Sequence, residues 1–191
     1  MKIYTKTGDD GKTSVVKGRI SKASDTIELI GTLDEFNAFL GVVREILKEN
    51  FKEFLKFDEL LMCVQSSIFS IGAIVVGAEL EINLNELTKK IEKSIDEMDS
   101  NLPTLKNFIL PGGNKLGSRL HVCRAICRKA ERRFVSYTLE LDLLDEKLLT
   151  PTFKKNIPEI RAYLNRLSDW LFVFARYVNF KTNFEEEIWK S

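Results

Sequence analysis

From residue 25 onward, apolar side chains return every three or four positions, and this rhythm limits the chain to helices that pack by one face. Leu29, Leu33, Phe36, Leu40, Val43 and Leu47 make the first seam, which predicts a helix over 25–49 with Asp25 as its N-cap. A second seam, Phe57, Leu61, Val64, Ile68, Ile71 and Val75, predicts a helix over about 54–77. A third is expected to start after Asn83 or Asn85 and to end near Asp99, before Ser100, Asn101 and Pro103. The fourth covers about 115–138, after the loop at 107–113. The last is predicted to begin near Pro158, since proline suits a first helical turn, and carries Leu164, Leu167, Leu171, Phe174 and Val178. Five such helices can bury their faces only against one another, so the predicted fold class is all-α, a five-helix bundle.

A chain of 191 residues can build that core without a metal or disulfide staple. No repeat or linker divides it, so one domain over 1–191 is expected: a front end at 1–24, the bundle at 25–182 and a tail at 183–191. Lys plus Arg number 29 and Asp plus Glu 28, and no basic run dominates. Binding nucleic acid through phosphate neutralisation is therefore not expected, although a small anion remains possible as a ligand. The longest apolar stretch, 68–78, is broken by Ser70 and is shorter than the ~18 to 20 residues that a bilayer requires. With no apolar leader at its start, the chain reads as cytoplasmic, without membrane partners. Cys63, Cys123 and Cys127 cannot pair off completely and are expected as free thiols; His121 would point away from the latter two, which argues against zinc.

The front end departs from the bundle pattern. Thr5, Thr7, Gly8, Asp9, Asp10, Gly11, Thr13, Ser14 and Gly18 concentrate hydroxyls and turn formers suited to wrapping an anion. The stretch from Gly8 to Ser14 is not a P-loop, because its glycines are too close and only Ile3 and Tyr4 precede it as strand candidates. Residues 139–157 read as a long connection between the last two helices.

On the fourth helix His121, Arg124, Arg128, Glu131 and Arg132 fall within about 60° of Arg128, opposite Cys123, Ile126, Cys127, Ala130 and Phe134. Taken alone, that stripe suits either a solvated surface or an anion site. Asn165, Asp169, Phe172 and Arg176 flank the last seam. The first helix adds Asp34 and Asn37, with Gly31 and Gly41 either receiving a ligand or packing a neighbouring helix. Guanidiniums, carboxylates and an amide on three helices, beside a hydroxyl-rich loop, suggest a polyphosphate site. A di-iron centre would need more than one histidine.

Several motifs in fixed order carry a family resemblance. Residues 4–11 (YTKTGDDG), Arg19 with Lys22, 31–37 (GTLDEFN), 108–113 (FILPGG), 120–133 (LHVCRAICRKAERR) and 163–169 (YLNRLSD) resemble the PduO-type ATP:corrinoid adenosyltransferases over nearly the whole chain. The resemblance implies a ferritin-like, cobalamin adenosyltransferase-like bundle that forms a homotrimer, with ATP and a corrinoid at each subunit interface. It places Thr5, Lys6, Thr7, Gly8, Thr13, Ser14, Lys22, Arg128, Lys129, Glu131, Arg132 and Asn165 on ATP or its Mg²⁺. It pairs Asp34 with Arg124 across the interface, sets Asp34 and Asn37 beside the corrinoid, and puts Phe108 on the lower face of the corrin ring.

In the implied reaction, Co(I) of cobalamin or cobinamide attacks the 5′ carbon of ATP, and triphosphate leaves. The catalytic set is then Lys6, Asp34, Arg124, Arg128 and Arg132, acting with Mg²⁺ by electrostatics, and no general base is required. A flavoprotein reductase and an adenosylcobalamin-dependent acceptor enzyme are the implied partners. Lys129 stands where the family commonly has arginine, 139–157 resembles an insertion, and Phe184 or Trp189 of the tail is a candidate to close over the corrin. Two other classes compete: a nucleotide-binding regulator without turnover, and a structural helical oligomer.

Overall fold

The computed structural model describes residues 2–16, 18–139 and 149–190. Five long helices follow a short hairpin: α1 (Asp25–Asn50), α2 (Asp58–Val75), α3 (Leu84–Asp99), α4 (Lys115–Leu139) and α5 (Pro151–Lys181). Helix α1 packs between α2 and α4, while α5 packs between α4 and α3. The core is aromatic at its centre, with Phe36, Phe134, Phe153, Tyr163, Trp170 and Phe174 fully buried. Two buried polar contacts cross between helices: Trp170 Nε1 donates to Ser94 Oγ at 2.9 Å, and Tyr163 and Ser67 share a hydroxyl hydrogen bond at 2.7 Å.

The helices lie where the seams predict them, but three boundaries differ. Ser24, not Asp25, caps α1: its hydroxyl accepts from Ile27 N, which leaves Asp25 in the first turn, where its charge suits the helix dipole. The second helix is preceded by a separate 3₁₀ turn, Lys52–Phe57. Asn83 caps α3, resolving the choice between two asparagines. Helix α5 begins at Pro151, behind a Thr150 cap that accepts from Phe153 N at 3.1 Å, and Pro158 lies inside it. The first-turn preference of proline was thus satisfied by the earlier proline, and much of the expected 139–157 connection is helix; positions 140–148 lie outside the described residues.

Strand was missed altogether. Lys12–Val15 (β1) pairs antiparallel with Gly18–Ser21 (β2), so Thr13 faces Ile20 and Ser14 faces Arg19. The alternation of Thr13 and Val15 between glycines was the available signal, but four residues are too few for periodicity to stand out.

One amide organises the start of α4. Asn179, 2% exposed, accepts from Asn114 N at 3.2 Å and donates to the Gly112 carbonyl at 3.3 Å. Asn114 in turn caps α4 by accepting from Leu116 N and Gly117 N. A Cβ at Gly117 would run into the Asn179 amide, which cannot retreat without losing both bonds, whereas a Cβ at Gly72 would meet nothing within 4 Å. Gly117→Ala should therefore destabilise the protein by about 1 to 3 kcal/mol. Gly72→Ala should stabilise it by up to about 1 kcal/mol. Urea unfolding of the two variants checks the opposite signs.

Candidate active site

The front end is a braced loop. Lys6 sits at φ 58, and Thr5 and Thr7 share a hydroxyl hydrogen bond at 2.8 Å. Lys22 Nζ reaches back to the Gly8 carbonyl at 2.9 Å, and Arg19 binds Asp10 at 3.0 Å and the Thr7 carbonyl. The two cations thus draw the loop against the hairpin that follows it. Because neighbouring strand residues face opposite ways, Thr13 and Ser14 part: Thr13 joins a groove with α1, whereas Ser14 stands on the Arg19 side.

That groove, about 580 Å³ in volume, lies between the hairpin, α1 and α2, and is lined by Thr13, Lys22, Gly31, Asp34, Asn37 and Phe69 among others. A Cβ on Gly31 or Gly72 would meet open space. Gly31 therefore widens the groove and does not serve close helix packing; Gly41 lies at ordinary contact distance from Gln65. Asn37 donates to the Gln65 carbonyl at 3.3 Å, but its buried Oδ1 has no partner among the described residues. The groove thus offers an exposed carboxylate and an ammonium beside an apolar wall, with the Asn37 amide oxygen buried in that wall.

The five cations of α4 from Arg124 to Arg133 divide into two groups. Lys129 binds Glu35 at 2.9 Å and Arg133 binds Glu28 at 3.2 Å, so both are neutralised by α1. Arg124, Arg128 and Arg132, each one turn from the next, form no ion pair among the described residues. Arg128 and Arg132 line a second groove of about 430 Å³ with Glu131 and Asn165, whose amide donates to Glu131 at 3.0 Å. Arg124 and Arg128 border a smaller hollow with Ser168, Asp169 and Phe172, but Asp169 is engaged by Arg166 at 3.0 Å. Burial, and then the neighbouring Arg128 charge, lower the pKa of Arg124, and its buried Nε lacks a partner among the described residues. A guanidinium in that position would gain from an incoming carboxylate.

Asp34 does not supply that carboxylate within the chain. It opens into the α1–α2 groove, while the arginine row lines grooves between α4 and α5, and these cavities share no lining residue. The predicted residues that line these grooves gather into two sets, while Thr5, Lys6, Thr7, Gly8 and Ser14 stay with the front-end loop and hairpin. Thr13, Lys22, Asp34 and Asn37 belong to one; Arg124, Arg128, Glu131, Arg132 and Asn165 belong to the other. Lys129 joins neither.

Phe108 stands apart from both sets, 78% exposed on the loop before α4. The C-terminal segment clasps this loop, a feature the sequence reading did not find. Leu110 N donates to the Glu187 carbonyl and Trp189 N to the Phe108 carbonyl, each at 2.8 Å, around a bridge between Ile109 and Ile188. The rings of Phe108 and Trp189 meet edge to face, with centroids 6.3 Å apart.

His121, expected on the polar stripe, is instead only 4% exposed. It borders a cavity of about 350 Å³ behind the Phe108 loop, 6.0 Å from the Phe172 ring. Neither ring nitrogen has a partner among the described residues. Burial and the nearby Arg124 charge lower its pKa from the usual 6.5 to about 4. The unfolded chain then binds the extra proton first, so stability falls as pH drops from about 6.5 to 4. His121→Leu should flatten that slope by about 1 to 3 kcal/mol over the window, as acid-titrated thermal unfolding would show.

The three thiols are free: Cys63 is exposed, while Cys123 and Cys127 are buried. Burial pushes the Cys123 thiol up to about 12 and raises Cys127 as well, which keeps them un-ionised. No group of three or more His, Cys, Asp or Glu side chains could hold a metal among the described residues. The helical run Lys52–Val75 is long and apolar enough to cross a membrane by length and composition alone. Its seam enters the core, but only 33% of the apolar window is buried within the chain, and Met62 and Phe69 remain exposed, Phe69 in the wall of the first groove.

The comparisons agree with one another. A family model described as cobalamin adenosyltransferase matches residues 3–178. The chain is 39% identical over 182 residues to a Bacillus subtilis corrinoid adenosyltransferase, covering 94% of this chain and 87% of that one. It is 36% identical over 195 residues to the Homo sapiens corrinoid adenosyltransferase MMAB, covering 98% and 73%. Among solved structures, a variant PduO-type ATP:corrinoid adenosyltransferase from Lactobacillus reuteri, complexed with cobalamin and ATP, superposes with TM-score 0.83 at 27% identity, over 100% of this chain and 97% of that one.

Proposed function

The chain belongs to the cobalamin adenosyltransferase family, and on that premise we propose that its two grooves are halves of one active site, each completed by a neighbouring subunit of a homotrimer. The enzyme transfers the 5′-deoxyadenosyl group of ATP to Co(I) of a corrinoid. The observation that supports the shared site is the unpartnered arginine row on α4, set against an exposed Asp34 in a groove that the row does not reach in its own chain. Joining Arg124 of one subunit to Asp34 of another satisfies both groups. It also covers the exposed apolar face of Met62 and Phe69.

The residue roles follow from charge. The Co–C5′ bond forms as the C5′–O bond breaks, and the leaving triphosphate carries away the electron pair. Arg128 and Arg132 offer planar forks to phosphate oxygens, and Lys6 and Lys22 add point charges from the braced loop, where Thr5, Thr7, Gly8, Thr13 and Ser14 can donate hydroxyl or backbone hydrogen bonds. Glu131 and Asn165, already bonded to each other, position the nucleotide from the α4–α5 side. Lys129, held by Glu35, supports this set from behind. A Mg²⁺ ion carried on the nucleotide would neutralise part of the phosphate charge. Asn37 lies beside Asp34 in the wall of the groove that this reading gives to the corrinoid. Phe108 presents an apolar ring to the lower face of the corrin, where it excludes an axial ligand and favours reduction of Co(II) by an external reductase.

Incubation with ATP and chemically reduced cobalamin should yield adenosylcobalamin and triphosphate in equal amounts; ATP binding without product would indicate a regulator, and neither would indicate a structural oligomer. Complementation tests the shared site. Asp34→Ala and Arg128→Ala should each be nearly inactive alone, but co-expressed subunits mixed at random should recover about a quarter of wild-type activity, because one site in four pairs two intact halves. No recovery in verified mixed trimers would place each site within a single chain.

A further inference from the structure

We propose that Arg176 and Glu186 are positioning residues for the corrinoid step, locking the C-terminal segment onto the loop that presents Phe108. This rests on the role given above to Phe108. Arg176, on α5, has a side chain only 5% exposed. Its Nε donates to both carboxylate oxygens of Glu186, at 3.1 and 3.3 Å, and one terminal nitrogen donates to the Pro103 carbonyl at 3.1 Å. One guanidinium therefore holds the tail and the start of the Phe108 loop together.

Three turns of contact complete the frame. Three residues beyond Arg176, Asn179 anchors the far end of the same loop through Gly112 and Asn114, and its own carbonyl accepts from Phe184 N at 2.8 Å, fixing where the tail departs. The tail then runs antiparallel to the loop and meets it at Leu110, Ile109 and Phe108 in turn. Phe108 itself is largely exposed, so its direction is set by this clasp and by the Trp189 edge. The arrangement separates two functions spatially: the nucleotide groups on α4 and the front-end loop form no bond with Arg176 or Glu186.

The consequence is a selective one. Glu186→Gln keeps the shape and one acceptor but removes the carboxylate charge, roughly halving the strength of the bond to Arg176. The KM for the corrinoid should rise about tenfold, and transfer starting from Co(II) should slow by a similar factor, while the KM for ATP stays within about twofold. Truncation after Phe184, which removes Glu186 and the whole clasp together, should reproduce the pattern more strongly. Trp189 fluorescence offers a readout independent of turnover: in Glu186→Gln its emission should shift toward that of a solvated indole. Equal changes in the ATP and corrinoid KM, or no change in kinetics and emission, overturn the assignment. If the emission shifts while the wild-type protein transfers no adenosyl group, the latch stands and the functional reading falls.

Discussion

Arg128→Ala is expected to lower kcat by about 10²- to 10³-fold, the loss typical of removing one fixed donor from a site where charge develops in the transition state. The fold should not suffer. Arg128 is exposed and makes no ion pair among the described residues, so its removal leaves no buried charge unpaired. Burial and the Arg128 charge together lower the pKa of Arg124, so the substitution also relieves repulsion within the row. Arg128→Lys restores the charge but not the fork, and should recover only part of the rate. The contrasting control is one position away. Lys129→Ala breaks a half-exposed pair with Glu35 and should change the rate less than tenfold, since exposed pairs are worth about 0 to 1 kcal/mol. The appearance of adenosylcobalamin, followed by absorbance at saturating ATP, measures all three. Near-normal turnover in Arg128→Ala would remove that residue from the leaving-group role.

Phe108→Ala should divide the reaction by the oxidation state of its substrate. Starting from Co(II), the rate should fall about 10- to 100-fold, which corresponds to losing the ~1.5 to 3 kcal/mol that a buried phenyl ring supplies. Starting from chemically prepared Co(I), the loss should be well under tenfold, because the difficult reduction has already been done. Stability should change little, given that the ring is 78% exposed in the free chain. A parallel assay with the two substrates compares the losses directly. Equal losses would mean that the ring only holds its loop in place.

These two residues show how legible the site was. Arg128 and Arg132 could be read from helical spacing, because residues one turn apart share a face whatever surrounds them. Which cations on α4 are free could not be read that way: Lys129 and Arg133 are neutralised by Glu35 and Glu28 of α1, and that depends on how two helices are set against each other. His121 failed for a related reason. Its position on the helical wheel borders the polar stripe, but the Phe108 loop and the tail cover that end of α4, turning a surface position into an interior one. The clasp was out of reach because it pairs residues about eighty positions apart through backbone groups that carry no side-chain signature. Asn179 left a fainter trace: the glycines at 113 and 117 imply a bulky neighbour, but not which one.

The separation of Asp34 from the arginine row also bears on how activity varies with protein concentration. On the shared site proposed above, each chain carries both halves in separate grooves, complete in composition and incomplete in place. Its specific activity should then fall on dilution through the assembly constant, while its helical content stays unchanged and every chain remains folded. On that same proposal, a subunit altered in one groove should disable a site shared with one neighbour, yet lend its intact groove to another.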